Sequence, residues 1–188
     1  MRISRSVLVA GIAGAAIAVA AVLANEQIDR YTSTDAFCGT SCHSMQAHVA
    51  NDPVFVESAH RTASSGVRAG CADCHIPHGI VSGTWAHVKG GVKDIISETL
   101  NDFTDRQVWE RGRAERAYHV RDWLLETDSA TCRVCHDEAA IQPERKRGQS
   151  QHADARERGL TCIGCHYNLV HTEVEPRPDF LERADMGK

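Results

Sequence analysis

The eight cysteines of this 188-residue chain fall into four close pairs, and a histidine follows each pair directly. The pairs are Cys38/Cys42, Cys71/Cys74, Cys132/Cys135 and Cys162/Cys165; the histidines are His43, His75, His136 and His166. Three pairs read C-x-x-C-H, and the first, Cys38-Gly-Thr-Ser-Cys42-His43, carries one extra residue. A disulfide framework gives no reason for a histidine after every pair. Closed zinc sites use the same side chains but do not require them to be contiguous. C-x-x-C-H is the attachment motif of c-type haem: two thiols add to the two vinyl groups, and the adjacent imidazole lies beneath the iron. Four such motifs that use every cysteine point to four covalently bound haem c groups. The longer first loop still lets both thiols reach the vinyls. The competing reading of that pair is a free or metal-binding CxxxC.

Four proximal histidines leave seven others: His48, His60, His78, His87, His119, His152 and His171. An internal repeat separates ligands from spares. His60 lies 17 residues after His43 and 11 before Cys71, and His78 follows His75 by three. His152 lies 16 residues after His136 and 10 before Cys162, and His171 follows His166 by five. Each half thus reads haem motif, lone His, haem motif, lone His. The chain is a duplicated dihaem module, about 38–78 and 132–171, with His60, His78, His152 and His171 as distal iron ligands. His48, His87 and His119 are the spares. Met45 follows His43 by two, and a thioether also ligates haem iron, so Met45 and His43 are alternatives at the first haem.

Composition fits this picture. By subtraction of the first 24 residues, Asn25–Lys188 holds 61 hydrophobic residues in 164. That is thin for a core of this size, so prosthetic groups are expected to fill the centre. The net charge of −4 gives no case for nucleic acid as a partner.

Between Val7 and Ala24, the only residues that are not apolar side chains are Gly11 and Gly14. As a helix this run spans about 27 Å, enough for a bilayer core. Arg2 and Arg5 precede it and Glu26 and Asp29 follow, which places the N-terminus in the cytoplasm and the rest across the membrane. Residues 1–24 are therefore expected to form a single-pass anchor and 25–188 a periplasmic haem domain. The alternative is a cleaved signal peptide, with Ala18-Val19-Ala20 as the cleavage site and a soluble periplasmic multihaem carrier as the product.

The rest of the chain reads as mainly α with much irregular structure. Asp52-Pro53 starts a short helix that carries His60 and stops at Gly66. The connector 79–131 holds a helix over Trp85–Glu98. Thr104 and Gln107 offer a capping box for a second helix to about Glu126, whose arginines read as a solvated face. Gln142–Arg158 reads as a helix bearing His152, with Gly159 at its C-terminal end. The tail, Thr172–Lys188, reads as loop or frayed end.

Taken together, the four motifs, the lone histidines and the N-terminal run resemble the NapC/NirT family of membrane-anchored tetrahaem cytochromes that oxidise quinol. The most specific segments are Phe37–Met45, His60–His78 and Thr161–His171. The resemblance implies Met45 as a ligand of the first haem and His60, His78, His152 and His171 as distal ligands. It also places an acidic residue of the quinol pocket at Asp94, with Lys89 or Lys93 nearby. It implies membrane quinol as donor and a periplasmic nitrate, nitrite or trimethylamine N-oxide reductase, or a soluble cytochrome, as acceptor. The sequence departs from the family at Cys38–Cys42, where two residues usually separate the thiols.

Overall fold

The computed structural model describes residues 4–186, so Arg2 lies outside the described residues. Every regular element among them is helical. α1 (Arg5–Thr32) begins at a Ser4 cap and runs without a break through the apolar segment and two turns beyond it. None of its residues is buried by the rest of the chain, as expected of a helix whose partner is lipid.

α2 (Asp35–Thr40) and α3 (His43–His48) carry the first haem motif, and α4 (Pro53–Val56) follows. Asp52 caps α4 as its sequence predicts, with Pro53 in the first turn. The helix nevertheless ends after one turn, and His60 stands in the succeeding turns instead of on a helix. Backbone bonds from Arg61 and Thr62 to the Ser58 carbonyl set those turns. α5 (Cys71–His75) holds the second motif and α6 (Ile80–Leu100) extends the expected connector helix at both ends.

The second connector helix is two pieces, α7 (Arg106–Arg111) and α8 (Arg113–Glu126), broken at Gly112. Its cap is Asp105, whose carboxylate accepts from the Gln107 amide, and not Thr104. Its arginines are not simply solvated. Arg121 is 5% exposed and donates to Tyr167 O, Asn168 Oδ1 and Val174 O, tying the 167–174 loop to α8. Arg116 stacks on Trp109 with its guanidinium carbon 3.7 Å from the ring centre.

A 3₁₀ turn at Cys132–Val134 carries the start of the third motif, with Cys135 as the residue that ends it, and another spans Glu138–Ala140. α9 (Lys146–Arg158) starts later than the sequence suggests, beyond Pro143, and ends at Gly159 with φ +63°, the left-handed position glycine adopts without a Cβ penalty. α10 (Cys162–Cys165) holds the fourth motif. The tail is ordered as α11 (Pro178–Asp185), contrary to the loop expected from its prolines. Pro178 occupies the first turn, where its missing amide costs nothing, and Phe180 and Ala184 share the buried face.

That face completes an apolar cluster: Leu124, Ile163, Phe180 and Ala184, flanked by Val120, Trp123, Leu125 and Tyr167. The cluster is small, as the composition requires. Asp122 on α8 adds ion pairs to Arg177, at 2.7 Å, and to Arg183. Burial works against the Asp122 carboxylate, but hydrogen bonds from Arg183 and Arg177 outweigh it and hold its pKa below the usual range. A depressed carboxylate contributes stability that is complete above the unfolded-state value near 4 and is lost as pH falls through the folded value. Asp122→Asn is therefore expected to flatten the fall of the denaturation midpoint between about pH 5 and pH 2, while lowering the midpoint at neutral pH.

Candidate haem sites and their surroundings

The four motifs stand in chain order in space, and a polar clasp joins each to the next. Asp35, at the start of the first-motif helix, accepts from the Cys71 amide at 2.8 Å and from Arg61 at 2.6 Å. Burial opposes the Asp35 charge, but these bonds outweigh it and keep its pKa low. The Cys38 and Cys71 thiols lie close enough to shift each other's acidity, Cys38 downward and Cys71 upward. Thr131, before the third motif, donates to the Cys74 carbonyl at 3.2 Å. Burial raises the Cys132 pKa, and the neighbouring Cys162 of the fourth motif pushes it further up.

The third clasp is Ser129. It is fully buried, and its hydroxyl meets Thr161 Oγ1 at 2.7 Å and accepts from the Ile163 amide at 3.0 Å. Asp128 and Ser129 both have positive φ, 55° and 52°, a conformation that costs a non-glycine residue roughly 1–2 kcal/mol. The kink ends α8 and aims the Ser129 hydroxyl across to α10. Nothing in the sequence assigns a role to Asp35, Ser129 or Thr131, and Arg61 and Thr161 stand out only as members of the segments that resemble the family. The only local signal is their closeness to the motifs.

All eight thiols are free of disulfides. The motif pattern does not distinguish them, but their burial differs. Cys135 is exposed, as is Cys165, whereas Cys38, Cys42, Cys71, Cys74, Cys132 and Cys162 are half-buried. The reason at Cys135 is local. The 3₁₀ turn of the third motif closes there, with the Cys135 amide donating to the Cys132 carbonyl at 3.2 Å. The chain then leaves the packed region, and Val134, His136 and Asp137 beside Cys135 are exposed too. Cys132, at the other end of the turn, is drawn inward by its amide bond to the Ser129 carbonyl at 2.9 Å. The exposure of Cys135 suits its expected chemistry, because addition to a vinyl group needs an accessible sulfur.

Among the described residues no group of three or more His, Cys, Asp or Glu side chains gathers as it would around a bare metal ion. Imidazoles instead come in facing pairs. His75 faces His171, His60 faces His136, and His152 faces His166, each with ring centres 6.1 Å apart. Imidazole nitrogen bonds a metal at about 2 Å, so two rings on opposite sides of one iron have centres about 6 Å apart. The residues present therefore fit haem at the second, third and fourth motifs, with a proximal and a distal imidazole at each.

The pairs cross the repeat. His171 of the second half meets His75 of the first, and His60 of the first half meets His136 of the second. Only His152–His166 stays within its half. His75, His136, His166 and His171 keep part of their surface exposed, yet the chain packed around three of them lowers their basicity. Desolvation and the facing His171 push the His75 pKa down to about 4. Desolvation also lowers His171, and desolvation with the charges of His152, His136 and His60 lowers His166. Each is thereby held neutral, the form in which imidazole binds a metal. The reach of His60 and His136 to His166 also shows that the third and fourth pairs adjoin. Phe55 stacks on His171 at 5.9 Å and fixes its ring plane.

His78, unlike His171, its counterpart in the repeat, has no imidazole opposite it among the described residues, and it is exposed. His43 is also exposed, and the nearby carboxylate it influences is Asp102. Met45 is half-buried on α3. Of the spares, His48 is structural: its Nε2 lies 2.7 Å from the Phe103 carbonyl and its ring stacks on Trp109. His119 is exposed, and His87 Nδ1 lies 3.0 Å from Asp29 Oδ1 on α1.

α6 brings acidic side chains to the first motif. Glu98 accepts from the Ser44 hydroxyl. Burial raises the Cys42 pKa, and Glu98 and Asp94 push it further up. Asp94 itself keeps an exposed side. Partial loss of solvent raises its pKa; Lys93 pulls it down and Glu98 pushes it further up. Lys89 and Lys93 are exposed. Lys89 is not among the charges that shift Asp94.

The family model described as "NapC/NirT cytochrome c family, N-terminal region" matches residues 1–176. The chain belongs to the NapC/NirT cytochrome c family. This cytochrome is 40% identical over 159 residues to a probable tetraheme cytochrome c-type protein of Nitrosomonas europaea, covering 83% of the chain and 65% of that relative. It is 36% identical over 148 residues to a putative tetraheme cytochrome-c type protein of Allochromatium vinosum, covering 77% and 78%. It is 32% identical over 159 residues to the cytochrome c-type protein NapC of Paracoccus pantotrophus, covering 77% and 63%. Several relatives are much longer: the chain spans 44% of TorY from Haemophilus influenzae. No solved structure matches. As a member of this cytochrome c family it is a haem-binding protein, and its α1 is long and apolar enough to cross a membrane.

Proposed function

We propose that this cytochrome oxidises quinol at the outer face of the bacterial cytoplasmic membrane. Cys38/Cys42, Cys71/Cys74, Cys132/Cys135 and Cys162/Cys165 would hold four covalent haem c groups, and the electron acceptor would be a periplasmic nitrate-, nitrite- or trimethylamine N-oxide-type reductase or a soluble cytochrome. Residues 1–24 are the anchor, with a cytoplasmic N-terminus, and 25–188 the periplasmic domain. The observation that carries the reading is the position of Asp94. It lies beside the first haem motif, on a helix that also packs on the outer end of α1.

Haem supplies one-electron redox chemistry at each motif. The chain's own groups do the rest. Quinol gives up two electrons and two protons on becoming quinone. Asp94, its pKa raised, accepts one proton as the quinol hydroxyl releases it, and the second passes to solvent. Lys93 is near enough to influence Asp94 and offers a cation to a quinol oxygen, with Lys89 one turn below. The paired imidazoles would hold the second to fourth haems from both sides, and Met45 or His43 would serve the first. The three clasps fix neighbouring motifs at constant separation.

Rapid mixing of the purified membrane form with a quinol analogue tests this. Asp94→Asn is expected to slow haem reduction by roughly 100-fold or more, as loss of a general base does, with full reduction by dithionite retained. His119→Ala is expected to match the parent. Unchanged kinetics in Asp94→Asn, or no reduction of the parent by any quinol, would overturn the assignment.

A further inference from the structure

α6 presents two opposite faces. Gly83, His87, Asp94 and Glu98 form one, and its contacts are made inward. A Cβ on Gly83 would lie 3.3 Å from Asp29 Oδ1, so glycine permits α6 to approach α1 there. His87 meets Asp29, and Asp94 and Glu98 reach the first haem motif.

The other face is Val81, Trp85, Val88, Val92, Ile95 and Ile96. At 3.6 residues per turn these fall within an arc of roughly 100°. They are 53–83% exposed. A haem on the first motif cannot cover them, because that motif meets the opposite side of the helix. A row of large apolar side chains this long is not an ordinary water-facing surface.

The start of α6 lies where the apolar run of α1 ends. Asn25, the first residue after that run, donates to Thr84 Oγ1 at 2.8 Å, and Asp29, one turn further out, meets His87. The exposed face therefore adjoins the lipid-facing surface of α1. Its flanks suit an interface: Lys89 and Lys93 border the stripe, where long stems lie along apolar surface with the ammonium at the headgroups, and Trp85 favours the same depth.

We propose that the Val81–Ile96 face of α6 is buried in the outer leaflet, as an interfacial helix that gives the chain a second membrane contact beside α1. This rests on the membrane-anchored reading. It holds Asp94 at the bilayer surface, so that quinol reaches the site without crossing water.

The test uses the full-length haem-loaded protein in nanodiscs of phosphatidylglycerol and phosphatidylethanolamine. Benzoylphenylalanine replaces Val92, Ile95, Val19 or Leu181 in turn, and photoadducts are read by mass spectrometry. Val19 reports the α1 span, and Leu181, an exposed apolar side chain on α11, reports indiscriminate labelling. The expected result is lipid adducts at Val92 and Ile95 in yield comparable to Val19, with loss of labelling at Leu181. Lipid at Val19 but not at Val92 or Ile95 would overturn the proposal and leave the anchor standing. Protein adducts at Val92, whether to a second copy or to another chain, would also overturn it. Failure at Val19 as well would remove the anchor reading itself, and this proposal with it.

Discussion

His171→Ala is expected to convert one low-spin haem of the oxidised protein to high spin, whereas His78→Ala leaves every haem low-spin that was so before. The two residues hold equivalent places in the sequence repeat, so a chain read as two identical modules predicts equal effects. The structure separates them. His171 faces His75 with ring centres 6.1 Å apart, and Phe55 stacks on it at 5.9 Å. No imidazole faces His78 among the described residues. Removing one of two nitrogen ligands leaves an open or water-filled position and weakens the ligand field. A potential change on the order of 0.1 V accompanies it, within the roughly 0.8 V range that axial ligation spans. Electron paramagnetic resonance and a spectroscopic redox titration read both effects. A high-spin signal from His78→Ala, with none from His171→Ala, would reverse the assignment.

The second large effect is on stability. Phe180→Ala is expected to cost about 3–5 kcal/mol, the usual range for emptying a buried aromatic site. Phe180 is 2% exposed and belongs to a cluster of four buried apolar residues among the described residues. Few neighbours can move in to fill the space. Its ring meets Tyr167 edge-on at 6.2 Å, and the same helix places Ala184 against the fourth motif, where a Cβ on Gly164 would come within 3.1 Å of Ala184 Cβ. For a chain of this size the loss corresponds to a fall of about 10 °C in the thermal midpoint, measurable by circular dichroism of the haem-loaded protein. A fall of less than about 2 °C would mean that haem contacts, and not this cluster, hold α11 in place.

These two cases mark the limit of what could be read from the chain. The haem motifs, the thin core and the apolar run were legible because each is a local property: contiguous residues, a composition and a length. Helix existence was legible for the same reason, through Asp52-Pro53, the spacing over Trp85–Glu98 and Gly159. Helix extent was not. α4 stops after one turn, although His60 was expected to ride on it. α9 waits for Pro143 to pass. The tail looked like loop because its prolines dominate the local signal, while Phe180 and Ala184 declare themselves only against Ile163 and Leu124. Arg121 read as solvated because nothing near it in sequence indicates the carbonyls of Tyr167 and Val174 that it clasps. Cys132 and Cys135 look alike in the motif, yet the turn between them leaves one half-buried and the other exposed.

The sequence by itself determined the chemistry: thiols and imidazoles spaced for haem attachment, too few apolar side chains for an ordinary core, and one segment fit to cross a bilayer. Attachment within a motif of five or six residues is a short-range matter, and short-range matters are written in the order of residues. Only the tertiary structure decided the partnerships. His60 goes to His136 and His171 to His75, across the repeat, and Asp94 comes to the first motif on the inner side of a helix whose outer side is apolar. The repeat could not convey this. Two copies of one pattern specify which residues are equivalent, but which imidazoles come to face each other at about 6 Å depends on how the chain packs.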